Sequence, residues 1–163
     1  MCNSTKLLLK CSDNELIDAK PFVRESRVLP RFYEDGREHR VEGNSDIIKK
    51  AAEFCLTRAQ IQDDTTKDEI TIQKELDDYS LQFRRSCNRS QVIPLIIAAF
   101  SLMIESLIDV MLKDVDDVFT GMTDDEVYDI LPVNLRNYDE FQYQMMVEYL
   151  RAAKWDFKTA RKA

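Results

Sequence analysis

The sequence predicts an α+β fold, and three observations carry that expectation. The first is a single convincing β pattern near the start, where Lys6-Leu7-Leu8-Leu9-Lys10-Cys11 and Leu16-Ile17-Asp18 flank the turn-forming pair Asp13-Asn14. The second is that apolar residues beyond position 45 recur at three- and four-residue spacing, the mark of amphipathic helices. The third is size: 163 residues with 44% hydrophobic content can bury one real core.

The elements follow in chain order. Residues 28–33 read as a short helix whose Pro30 falls in the first turn, where a missing N–H is tolerated. Residues 37–42 read as a third strand before Gly43-Asn44. Ser45 then reads as the N-cap of a helix burying Ile47, Ile48, Ala51, Ala52 and Cys55. Residues 59–71 are polar and acidic, so the expectation there is a flexible linker. Ile72, Leu76, Tyr79 and Phe83 have the spacing of one or two short helices, and Ser90 can cap the helix that contains Pro94.

Residues 95–131 hold the most information. One apolar pattern runs through Leu95, Ile96, Ala99, Leu102 and Met103, and a second through Leu107, Ile108, Met111, Leu112, Val115, Val118 and Phe119. Gly121 suits a helix C-terminus, and Thr123 with Glu126 reads as a capping box opening the next helix. Asn137 with Glu140 starts a further helix that aligns Phe141, Met145 and Tyr149, with Trp155 at or beyond its end.

These residues resemble a known family. Ile96-Ile97-Ala98-Ala99, Leu102, Ile104, Leu107-Ile108-Asp109-Val110, Lys113, Val115, Gly121, Thr123 and Glu126 follow, without a gap, the most distinctive segment of the S-phase-kinase-associated adaptor proteins. Those are the F-box-binding subunits of SCF ubiquitin ligases. Upstream, Thr5 to Lys10, Ser12-Asp13 and Glu15 resemble the family's first hairpin, and Ile47-Ile48-Lys49-Lys50 with Phe54-Cys55 one of its helices.

The resemblance implies a BTB/POZ-like domain over residues 1–116 and a helical extension over 117–163 that completes a groove for F-box helices. On that basis Ile104, Leu107, Ile108, Met111, Val115, Val118, Phe119, Val127, Leu131, Phe141, Met145, Tyr149 and Trp155 are expected to face an F-box partner. Periodicity alone leaves core and interface equally open for such a stripe. Methionines at 111, 145 and 146 would give a groove an adaptable lining. The family fits a non-catalytic adaptor of cytoplasm and nucleus, with no cofactor and no metal.

Three departures qualify the match. Where the family carries Asn-Tyr on its cullin-facing surface this chain has Phe100-Ser101, which puts cullin docking in question. An exposed phenylalanine there would suit self-association or a cullin-free scaffold instead. The loop before Ser45 is shorter than the family's, and Trp155 lies a few residues beyond its comparable tryptophan.

Composition and motif searches narrow the rest. A net charge of −7 repels a phosphate backbone, so nucleic acid is not an expected partner. No apolar run reaches the roughly 20 residues of a membrane span, and the expectation is a soluble intracellular protein. Cysteines 2, 11, 55 and 87 form no Cys-x-x-Cys pair and read as reduced thiols, with Cys11 and Cys55 in the core. His39 is the only histidine and reads as a solvated side chain between Glu38 and Arg40. Three glycines build no phosphate loop. Asp114, Asp116 and Asp125 fail the calcium-loop pattern, because its fifth and sixth positions hold Val118 and Phe119.

Overall fold

The computed structural model describes residues 7–29, 38–113 and 123. Within them lie a three-stranded sheet and four α-helices, an α+β arrangement. Strands β1 (Leu8–Lys10) and β2 (Leu16–Asp18) form the antiparallel hairpin, with Leu9 opposite Ile17. Asn14 turns the chain at a φ of 67°, a conformation asparagine tolerates better than most residues. Strand β3 (His39–Arg40) lies parallel to β1 on its other side, giving the order β2-β1-β3. The expected strand 37–42 is therefore shorter, although Val41 N–H still donates to Lys10 O at 3.1 Å. Side chains alternate as a half-buried sheet requires: Leu7, Leu9 and Cys11 are buried, Leu8 and Lys10 only partly so.

Helix α1 (Ser45–Gln62) begins one residue away from the expected cap. Asn44, in extended conformation, accepts a hydrogen bond from Ile47 N–H at 2.9 Å and is the N-cap. Ser45 instead donates through both N–H and Oγ to Asp13 Oδ2, at 3.1 and 2.6 Å, and so ties the helix to the hairpin turn. Gly43 precedes them at a φ of +144°, and a Cβ there would meet Ile48 Cδ1 at 3.1 Å.

The linker expected over 59–71 is mostly helix. Helix α1 continues to Gln62 and α2 (Glu69–Ser86) starts at Glu69, leaving only 63–68 as a connection. Its acids act as local anchors: Asp64 accepts from Thr66 N–H, Asp68 caps α2 through Thr71 N–H, and Lys67 pairs with Asp64 and Glu75. Low apolar content was a poor guide because capping and ion pairing order this stretch in place of burial. Helix α2 is likewise one unbroken element. It packs on α1 through Phe54, Tyr79 and Phe83, with the Phe54 and Phe83 rings 4.8 Å apart.

Helix α3 (Arg89–Leu102) opens at Asn88, not at Ser90, and Gln91 Oε1 accepts from Asn88 N–H at 2.9 Å. Val92, Leu95, Ile96, Ala98, Ala99, Phe100 and Leu102 are all buried, more than one face of the helix, so α3 sits at the centre of the core. Helices α1 and α4 (Glu105–Leu112) pack against it. The short helix expected over 28–33, the Gly121 stop and the Thr123 capping box fall wholly or partly outside the described residues.

The hydrogen bonds that join hairpin to helix give a pH dependence. Those from Ser45 hold the Asp13 carboxyl below the ordinary carboxylate value, and those from Thr71 do the same to Asp68. A carboxyl with a lowered folded-state pKa contributes stability that is present above its unfolded value and disappears as pH falls through the folded one. The melting temperature is therefore expected to drop below about pH 4. Asp13→Asn should lower it at neutral pH and make the acid drop shallower. Parallel melting curves for the two proteins between neutral and acid pH would contradict this account.

Candidate functional site

The described residues among those expected to meet partners, Phe100, Ser101, Ile104, Leu107, Ile108 and Met111, lie on either side of the corner between α3 and α4. Met103 ends α3 in the left-handed region, at φ 50° and ψ 52°. Its N–H donates to Phe100 O at 3.1 Å, and Ile104 N–H reaches back to Ala99 O at 3.0 Å. That pair of bonds closes a helix C-terminus of the kind glycine usually forms. The corner is clamped from far away in sequence: Ser26 pairs with Ile104 as a β-bridge, Ser26 Oγ donates to Leu102 O, and Arg27 N–H donates to Met103 O. The two apolar patterns, ending at Met103 and resuming at Leu107, already separate α3 from α4, but the left-handed turn at Met103 carries no glycine to mark it.

Ile104, Leu107, Ile108 and Met111 are each 0% exposed. They lie in the core cluster, so they do not line an open groove. The physical reason is the composition of α4: Leu107, Ile108, Val110, Met111 and Leu112 cover most of its circumference and leave one polar stripe, so the apolar side is satisfied only by surrounding protein. What α4 shows to solvent is Asp109, Lys113 and parts of Glu105 and Ser106. Burial first, and then the neighbouring Glu105, hold the Asp109 carboxyl above its usual value. Beside α2, the helix borders a cleft of about 150 Å³ lined by Ser80, Leu81, Arg84, Val110 and Lys113.

Phe100 and Ser101 require a correction. Phe100 is 1% exposed and Ser101 is 6% exposed, so neither is a surface contact in the chain as folded. Ser101 Oγ accepts Glu42 N–H at 3.1 Å, which joins α3 to the end of the sheet. An alternating pattern could not reveal this, because α3 has no solvent face at that point. Val115, Val118, Phe119, Val127, Leu131, Phe141, Met145, Tyr149 and Trp155 lie outside the described residues.

A polar cluster beneath the α3–α4 corner was not legible in the sequence. Glu25 Oε1 accepts from Arg58 Nε at 2.8 Å and from Ser106 Oγ at 2.9 Å, joining the turn after residue 22 to α1 and α4. The Glu25 and Arg58 side chains are 14% and 15% exposed, so this pair is far better shielded than the other ion pairs of the described residues. The Arg58 guanidinium also lies over the Phe54 ring, 5.6 Å from its centroid. Arg58→Ala would leave a shielded carboxylate with one hydroxyl donor, and is expected to cost about 3 kcal/mol. Adding Glu25→Gln should recover part of that loss. Urea denaturation of both variants checks the coupling, and additive effects would refute it.

No catalytic constellation is built from the described residues. His39 is half-buried, with Leu9 as its register partner, and burial holds its pKa below the usual value; the solvated side chain expected from the sequence is not found. Strand alternation explains it, since Arg40 takes the outward position. Burial pushes the Cys11 thiol up to about 11 and raises those of Cys55 and Cys87, so all three stay protonated near neutral pH. Cys11 and Cys55 are small core residues, 3% and 2% exposed. Among the described residues no group of His, Cys, Asp and Glu could hold a metal ion. No helix among them is long and apolar enough to cross a membrane. No protein-family model and no curated protein matches this chain.

Proposed function

We propose that this chain is a non-catalytic adaptor that binds F-box proteins, and that a link from them to a cullin scaffold in an SCF-type ubiquitin ligase is a second, separable part of the role, which the Phe100-Ser101 departure puts in question. The observation that carries the reading is the ungapped resemblance of residues 95–131 to the family's most distinctive segment. A small three-stranded sheet attached to a mainly helical body is in keeping with a BTB/POZ-like domain. Such an adaptor acts by proximity, holding a substrate-bound partner near transfer machinery that belongs to other subunits.

The buried α4 refines the proposal. Ile104, Leu107, Ile108 and Met111 serve as the floor that supports the partner site, and the direct contact is assigned to Val115, Val118, Phe119, Val127, Leu131, Phe141, Met145, Tyr149 and Trp155. Self-assembly through Phe100 loses its basis, because a ring that is 1% exposed offers a second copy nothing to grip. The same burial means that a cullin would meet a surface other than the Phe100 ring.

Calorimetric titration of the full chain with an F-box domain tests the reading. A 1:1 complex with a dissociation constant of about 1 μM or tighter is expected. A folded chain that shows no heat up to about 100 μM F-box would overturn it. Adding a cullin N-terminal domain to the complex separates the second half of the proposal. A ternary species on gel filtration supports the ligase link, and its absence removes that link while leaving F-box binding intact.

A further inference from the structure

The outer face of the sheet carries two cations side by side. Lys10 and Arg40 are register partners on the parallel strands β1 and β3, and they point away from the core because Leu9 and Val41, their neighbours in sequence, point into it. Like charges opposite one another on adjacent strands repel. Neither cation makes an ion pair among the described residues. On a molecule with a net charge of −7, two like charges set side by side by strand register form a local positive patch that favours an anion.

The same two residues line a cavity of about 180 Å³, together with Ser12, Asn14 and Glu42. Arginine supplies a planar fork for two oxygens, lysine a mobile point charge, and Ser12 and Asn14 a hydroxyl and an amide able to donate. Ser12 N–H is already held by Gly43 O at 2.8 Å and Asn14 N–H by Cys11 O at 2.9 Å, so the turn that presents these side chains is internally braced. Among the described residues Glu42 is the acid in the lining, and it opposes an anion.

We propose that this pocket, built by Lys10, Arg40, Ser12 and Asn14 at the end of the sheet, binds a single phosphoryl group. Two full positive charges favour that ligand over a carboxylate, since a phosphomonoester carries about −1.5 to −2 at neutral pH and a carboxylate only −1. The overall negative charge disfavours a polyanion, so the ligand is one phosphoryl group, either free phosphate or one carried on a protein side chain. The inference is independent of the adaptor reading, because it uses the sheet and not the α3–α4 corner.

The test titrates the full chain with inorganic phosphate, with a short neutral peptide carrying one phosphoserine, and with the same peptide unphosphorylated. The phosphorylated peptide is expected to bind with 1:1 stoichiometry and at least about tenfold more tightly than its unphosphorylated form. Phosphate binding as tightly as the phosphopeptide assigns the site to the free ion, and tighter phosphopeptide binding assigns it to a modified protein. The double variant Lys10→Gln with Arg40→Gln should lose at least about tenfold in affinity, whereas Glu42→Gln should gain severalfold. Lys74→Gln, on the exposed side of α2, should change nothing. Equal affinity for the two peptides with no binding of inorganic phosphate, or a double variant that binds as the parent does, overturns the proposal. Both exchanged residues are at or near the surface, and removing their mutual repulsion should leave the melting temperature unchanged or slightly higher, so loss of binding is not confounded by unfolding.

Discussion

Met111→Asp is expected to unfold the chain. The side chain is wholly buried on α4, and deleting its contacts costs about 2–5 kcal/mol. An unpaired carboxylate in the same space adds several kcal/mol more. A domain of this size has a total stability of only about 5–15 kcal/mol, so the sum takes most or all of it. Met111→Leu, which keeps volume and polarity, should cost less than about 1.5 kcal/mol. Far-UV circular dichroism melts of the two variants decide the matter. A Met111→Asp protein that melts like the parent yet fails to bind an F-box would make α4 a partner surface and would remove it from the core.

Exchanging Phe100-Ser101 for the Asn-Tyr pair of the resembled family is the second large effect. At a position 1% exposed, losing the phenylalanine ring costs about 3–5 kcal/mol, and a buried amide without partners adds about 1–3 kcal/mol. Tyrosine in place of Ser101 must fit a phenol where 6% of the residue is accessible, and it removes the oxygen that accepts Glu42 N–H. The double variant should therefore lose stability outright instead of gaining a partner. Phe100→Leu alone should cost far less, on the order of 1 to 2 kcal/mol. Guanidinium denaturation midpoints give the comparison. Parental stability in the double variant would mean that this end of α3 is open to solvent after all.

Much of the architecture is written locally. The hairpin around Asp13-Asn14 and the helices beyond residue 45 follow from turn chemistry and three-to-four-residue spacing, both of which act over a few positions. Cap positions moved by one or two residues, from Ser45 to Asn44 and from Ser90 to Asn88. In each case another good capping residue stood close by, and the choice depended on which side chain reached the free N–H groups. The acidic stretch 59–71 misled for a related reason. Residues that cannot build a core can still cap and pair, and here Asp64, Lys67 and Asp68 do both.

By itself, then, the sequence determined the α+β class, the hairpin, the helical body and the apolar character of 95–112. Only the tertiary structure decided which apolar residues are covered. Phe100, Leu107 and Met111 have the same periodicity whether they face a partner or the protein's own interior, because burial depends on segments that the periodic window does not contain. Ser26 meets Leu102 across 76 residues, Ser106 meets Glu25 across 81, and Asp13 meets Ser45 across 32. The first two close the α3–α4 corner, the third ties α1 to the hairpin turn, and the β1–β3 pairing sets Lys10 beside Arg40 near that same turn, an arrangement that no local pattern of residues could specify.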